Sequence, residues 1–291
     1  MNRRTLLSAA AAAILAAGSF SASAAPLKEL KIAATPVPQG EVLKFVKPIL
    51  AKEGIDLKII EFTDYIAPNA ALDAKEVDVN FYQHQPFLDN AVRQRHINAV
   101  RVAPIYILPM AVYSQKLKSL KNVPNGARVS IPNDPSNGGR ALLLLQSAGL
   151  IKLRSGVGYE ATPIDVVSNP KKLKFVELEA AQVPRSLKDV DIAVVNSNYA
   201  LGIGLNPLKD SIYLEDKRSP YALVVATRKG DQNDPRVQKL EGTAVSGHEE
   251  VYSDEVQGRC GSLLLKRRSS LTGRNPHPGK ILCRVFGILK S

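Results

Sequence analysis

Between residues 28 and 116 the apolar positions change period several times, and each change predicts an element. Leu30 to Ala34 is a short, nearly continuous apolar run and predicts a strand, whereas Gly40 to Glu53 sets Val42, Leu43, Phe45, Val46, Ile49 and Leu50 at helical spacing. Asp56 to Phe62 and Val77 to Tyr82 alternate apolar with polar and predict strands. Ala99 to Ser114 is a long apolar stretch interrupted by Pro104 and Pro109, a pattern unsuited to one central strand, so it predicts a crossing between two domains. The pattern resumes with a strand through Ala127, Val129 and Ile131 and a leucine-rich helical run from Ala141 to Leu145. A polar turn (Ser155 to Thr162), the strand-like DVVS, a strand from Lys174 to Leu178, a helix from Gln182 to Val190 and a buried strand from Asp191 to Val195 follow. Strands alternating with helices predict an α/β fold of mostly parallel sheets flanked by helices.

The ends of the chain read differently. Arg3 and Arg4 precede an Ala-rich apolar run from Leu6 to Ala17, and Ala22-Ser23-Ala24 forms a cleavage site before Ala25, so residues 1–24 read as a signal peptide. No Cys follows the apolar run, which predicts a protein released into the periplasm without a lipid anchor. The remaining chain of roughly 265 residues suffices for two domains. Cys260 and Cys283 both lie near the C-terminus, leaving no disulfide framework and no thiol nucleophile in the body. The net charge of +12 is scattered or sits in the leader and tail, with no basic helix carrying interleaved aromatics, so nucleic acid is not the expected partner.

The stretch with the clearest chemistry is Ile131 to Arg140, IPNDPSNGGR, which joins a strand's end to a helix's start. Free backbone N–H groups and the helix dipole favour an anion at such a junction. Gly138 and Gly139 would let the backbone approach a carboxylate, and Arg140 in the first helical turn would grip it with a planar fork. Asn137 either caps the helix or bonds the ligand. The glycines are not followed by Lys-Ser/Thr, so this is no nucleotide loop. The competing reading is an ordinary capped turn with a solvated Arg.

IPNDPSNGGRALLLLQSAGLIKL resembles the signature segment of the methionine-binding periplasmic proteins, also called NlpA lipoproteins, the substrate-binding subunits of an ABC importer. Three further stretches carry the same resemblance: EFTDYIAPNAALDAKEVDVNFYQHQPFLDNAV, VVNSNYALGIGLNP and DKRSPYALVVATRKGD. The resemblance covers Leu30 to Leu240 and implies a two-lobed periplasmic binding protein with its ligand cleft between the lobes. It assigns residues 25–112 and 224–240 to lobe I and 113–223 to lobe II. It also implies that Tyr65, Tyr82, His84 and Phe87 enclose a thioether side chain, and sulfur gains from aromatic edges. Asn137, Arg140 and Asn196 would hold the amino-acid head group. For Asn196 the position at a strand's carboxyl end agrees with this, although a helix N-cap is nearly as good a reading. Read without the resemblance, the aromatics are core and His84 a satisfied buried histidine. No second His, Cys or carboxylate stands at ligand spacing from His84, so no metal and no cofactor are expected. The expected partners are methionine and an ABC permease with its ATPase, and the expected state is a monomer.

Two features depart from the pattern. Leu223 stands where SPY, one residue, then Asn is usual, removing one polar contact. After Leu240 the resemblance stops and no clear period follows. The codons allowed for Glu241 to Leu264, read one nucleotide on, can spell an amphipathic helix and the family's usual ending, so 241–291 reads as a frameshift product. Two other function classes compete: an enzyme acting on an amino-acid-like substrate, and a surface antigen or adhesin with a vestigial pocket. The body has no G-x-S-x-G elbow, no Cys nucleophile and no paired carboxylates with an acid/base partner, so no enzyme is expected.

Overall fold

The computed structural model describes residues 28 to 216 and 219 to 252, with 244 to 252 described by backbone alone. The first run of elements is β1 (Lys28–Ala34), α1 (Glu41–Lys52), β2 (Ile55–Glu61), α2 (Ala67–Asp73), β3 (Val79–His84), α3 (Gln85–Arg95) and β4 (Ala99–Ile107). The next comprises β5 (Ala111–Tyr113), β6 (Arg128–Pro132), α4 (Pro135–Ser147), β7 (Lys152–Leu153), β8 (Val166–Ser168), β9 (Lys174–Leu178), β10 (Ile192–Val195), α5 (Ser197–Gly202) and β11 (Tyr213–Leu214). The chain ends its described part with β12 (Ala222–Arg228) and α6 (Pro235–Tyr252).

These strands form two five-stranded sheets, ordered β2-β1-β3-β12-β4 and β11-β5-β10-β6-β9. Strands β1, β2 and β3 pair in parallel, as do β10, β6 and β9. The strands reached by the two crossings break the rule: β5 and β12 run antiparallel to both neighbours. Each enters its sheet coming from the other lobe, so it runs against the local direction. The chain leaves the first sheet after Ile107 and enters the second at Ala111, then returns between Leu214 and Ala222. This is the two-lobed, mostly parallel α/β architecture that the resemblance implies.

Each lobe has its own core. In the first, Leu43, Val46 and Leu50 form the buried stripe of α1 over Leu30, Ile32, Leu57 and Phe81. Val237 and Leu240 bring α6 onto that same core. Arg236 fixes the start of α6, reaching the Glu29 carbonyl at 2.6 Å and the Asp234 carboxylate at 2.6 Å. The helix continues past Leu240, where the sequence shows no clear period, to Tyr252. The second core joins Val129, Ile131, Leu142, Leu145, Ile192 and Val194.

Two local readings are corrected. The helix expected from Gln182 to Val190 is one 3-10 turn, Pro184–Lys188. Pro184 supplies no N–H, and the Ser186 hydroxyl bonds back to the Val183 carbonyl at 2.7 Å, so an α-helical ladder does not form. The helix expected to begin after the glycines begins at Pro135, which places Asn137, Gly138, Gly139 and Arg140 inside α4. The leader, Cys260, Cys283 and the tail beyond Tyr252 lie outside the described residues.

Candidate ligand-binding site

The carboxyl ends of the parallel strands converge on one cleft, as open α/β sheets arrange their sites. His84 ends β3, Leu108 follows β4, Asn137 and Arg140 follow β6, and Asn196 follows β10. They line one narrow cavity, with about 20 Å³ of room for the centre of a water-sized sphere. All seven residues singled out in the sequence line it: Tyr65, Tyr82, His84, Phe87, Asn137, Arg140 and Asn196.

One end is an aromatic wall. The Tyr65 ring lies 6.1 Å from Tyr82 and 5.8 Å from Phe87, and the Tyr82 and Phe87 centroids are 6.1 Å apart. The rings meet tilted or edge-on, the arrangements that aromatic quadrupoles favour. Tyr65 also crosses the cleft, its hydroxyl donating to Asn198 Oδ1 at 2.6 Å, while Tyr82 donates to the Tyr65 carbonyl at 3.1 Å.

The other end is polar and buried. His84 caps α3 by accepting the Phe87 N–H at Nδ1, 3.2 Å away, which puts its proton on Nε2. That Nε2 lies 3.1 Å from Asn137 Oδ1. Burial first, then the positive charge of Arg140, lower the His84 pKa from 6.5 to about 3, so the ring is a neutral donor. Asn137 Oδ1 also accepts from Asn196 Nδ2 at 2.7 Å, and its Nδ2 donates to both Asp134 oxygens at 3.0 Å. Burial raises the Asp134 pKa, against the opposing pull of its bonds from Asn137 and Ser136.

Two of the readings for this corner change. Asp134, not Asn137, caps α4, through the Asn137 N–H at 2.9 Å. Asn196 occupies the N-cap position of α5 but makes no cap bond, because its amide is turned to Asn137. Its Oδ1 is buried with no partner among the described residues. The paired glycines also serve packing. A Cβ on Gly138 would stand 2.9 Å from the Pro132 carbonyl oxygen, and one on Gly139 would collide with the Tyr159 carbonyl.

Arg140 is the one charged side chain among the described lining residues. Its Nε donates to Glu215 Oε1 at 2.9 Å, and its Nη2 donates to Glu215 Oε2 at 2.5 Å and to the Leu108 carbonyl at 2.9 Å. The guanidinium also sits 4.4 Å above the Tyr221 ring. These bonds run from Nε and Nη2, not from Nη1. The same side chain thus touches both crossings, at Leu108 and at Glu215. Among the described residues no cluster of His, Cys, Asp or Glu converges to hold a metal ion, and no helix is long and apolar enough to cross a membrane.

Sequence reasoning missed Gln39, Asn198 and Glu215. Gln39 follows a Pro-rich turn, is buried, and accepts from the Thr35 hydroxyl at 2.6 Å. Asn198 stands two residues after Asn196 and could have been found from that spacing. Glu215 had no local signal, since its partner Arg140 is 75 residues away.

Known proteins agree with this architecture. A family model described as NlpA lipoprotein matches residues 30–255. The chain is 49% identical over 191 residues to the D-methionine-binding lipoprotein MetQ of Escherichia coli K12, covering 65% of this chain and 70% of that protein. It superposes with a TM-score of 0.73, at 50% identity, on a nutrient binding protein from Burkholderia cenocepacia bound to methionine, covering 74% of this chain and 91% of the other. An ABC transporter periplasmic substrate-binding protein from Coxiella burnetii aligns with a TM-score of 0.72 at 42% identity, over 74% and 92% of the two chains. The names of the family and the E. coli relative correct one expectation. They are lipoproteins, so the reading of a protein released without a lipid anchor does not stand. That reading rested on one missing Cys in a leader outside the described residues. By the match over most of its length and its identity to these relatives, the chain belongs to the NlpA lipoprotein family.

Proposed function

We propose that this protein is the substrate-binding subunit of an ABC importer, that it takes methionine or a closely related amino acid into the cleft between its lobes, and that it delivers the ligand to a membrane permease and its ATPase. It acts as a monomer and by binding, without catalysis. One lobe carries the sheet β2-β1-β3-β12-β4 and the other the sheet β11-β5-β10-β6-β9, so the boundaries expected at 112/113 and 223/224 move to the segments before Ala111 and before Ala222, and the lobes close by hinge motion at these two crossings.

The observation that carries this reading is a cavity with a buried Arg140 and an unpartnered Asn196 Oδ1 at one end and aromatic rings at the other. Arg140, whose bonds to Glu215 and Leu108 run from Nε and Nη2, offers its guanidinium to a carboxylate, and Asn196 Oδ1 offers an acceptor to an ammonium. Tyr65, Tyr82 and Phe87 offer apolar, polarisable surface to a thioether. The names of the E. coli and Burkholderia proteins, one for D-methionine and one bound to methionine, support the same ligand class. Leu223 lines the cavity where an Asn would add a polar contact, so binding here relies on the remaining groups.

A thermal-shift panel of the common amino acids tests the proposal. Ligand at a hundredfold over Kd stabilises the folded state by about 2.7 kcal/mol. A shift confined to methionine and its near relatives is expected. A cooperative melt unmoved by every amino acid would reject it.

A further inference from the structure

We propose that Glu215 sets the charge preference of the head-group site: by holding Arg140 in a bidentate pair, it makes the site select a zwitterion over a simple carboxylate anion. The inference rests on the proposed binding of an amino acid at Arg140.

The geometry is that of a counterion built in behind the site. Glu215 does not line the cavity, yet it takes the Nε edge and one Nη2 hydrogen of Arg140. Glu215 is itself held, because Oε2 accepts the Met110 N–H at 3.0 Å and the Glu215 N–H donates to the Met110 carbonyl at 3.0 Å. The pair is buried, with side-chain exposures of 3% for Arg140 and 11% for Glu215. A lone buried guanidinium would make the cavity cationic and attract any carboxylate. Paired, it is neutral, and an entering carboxylate becomes a second anion on the same cation in a weakly screened place. A zwitterion brings its own ammonium, for which the unpartnered Asn196 Oδ1 is an acceptor. Two neighbours fit this arrangement. His84 is neutral, and the Asp134 carboxyl lies behind Asn137.

The test compares methionine with 4-(methylthio)butanoate, the same chain without its amino group, by titration calorimetry on the unaltered protein and on two variants. In Glu215→Gln, which keeps shape and loses charge, the preference for methionine over the anion should narrow by about tenfold or more, mainly through tighter anion binding. In Glu215→Asp, which keeps charge and loses reach, both ligands should weaken while the ratio stays within about threefold of the unaltered protein. If Gln weakens both ligands in the same proportion, Glu215 is only a structural support and the proposal is overturned. If Asp, which keeps the charge, narrows the ratio by about tenfold or more, the charge is not the cause and the proposal is equally overturned, a result readable even where the Gln variant does not fold. Failure of the unaltered protein to bind any amino acid would instead remove the reading underneath and the proposal with it, a result distinct from methionine binding with an unshifted ratio.

Discussion

His84 makes the stability of this protein depend on pH in a calculable way. The ring is 4% exposed, its Nδ1 is engaged with the Phe87 N–H and its Nε2 with Asn137, and its pKa falls from 6.5 to about 3. In the unfolded chain the same imidazole keeps its ordinary affinity for protons. Below pH 6.5 the unfolded state therefore binds a proton that the folded state refuses. The stabilisation from a neutral, buried His84 is full above 6.5 and is lost as the pH falls toward 3. At about 1.4 kcal/mol per unit, going from pH 7 to pH 5 costs about 2 kcal/mol. The comparison is His84→Asn, which keeps an acceptor at the cap of α3 and does not titrate. Urea unfolding of both proteins at pH 7, 6 and 5, without ligand, isolates the effect, since Asp134 and the other carboxylates are common to both. The unaltered protein should lose about 2 kcal/mol more than the variant between pH 7 and pH 5. Equal losses in the two proteins would mean that His84 takes up a proton without unfolding, and would refute a buried neutral ring.

Other substitutions probe the cleft and its scaffold. Arg140→Met leaves the Glu215 carboxylate buried without its cation and should cost about 3–5 kcal/mol in a denaturant melt, whereas Arg140→Met with Glu215→Gln should recover most of that loss. Gly139→Ala should destabilise by about 1–3 kcal/mol despite the better helix propensity of Ala, because the added Cβ meets the Tyr159 backbone; a neutral melting point would contradict that close approach. Asn198→Ala removes the acceptor of the 2.6 Å bond from Tyr65 across the cleft and should weaken methionine binding by about fivefold to tenfold, read by titration. Leu223→Asn should strengthen methionine binding by about tenfold if the added amide meets the head group, and an unchanged or weaker Kd would show that it does not.

The fold was largely legible because each lobe repeats a simple rule. Buried stripes such as Leu43, Val46 and Leu50 recur at helical spacing, and Ile192 to Val195 is a run of four buried residues. The prolines at 104 and 109 marked the passage between sheets because the second of them falls between β4 and β5. What local pattern misjudged were ends and caps. Asn137 and Asp134 are both good caps by type, and only the fold shows that Asp134 takes the helix N–H of Asn137 while the Asn137 side chain gathers His84 and Asn196. The glycines of α4 read as an opening for a ligand, yet the pressure on them comes from Pro132 and from the Tyr159 segment, distant in sequence. Glu215 was invisible for the same reason, since an ion pair over 75 residues leaves no trace in composition or period.

The account stands or falls on one titration of the purified, folded protein with L- and D-methionine. It expects saturable one-to-one binding with a Kd of about 10 μM or tighter for at least one enantiomer, abolished by Arg140→Ala. Folded protein that takes up neither enantiomer at millimolar concentration would contradict it.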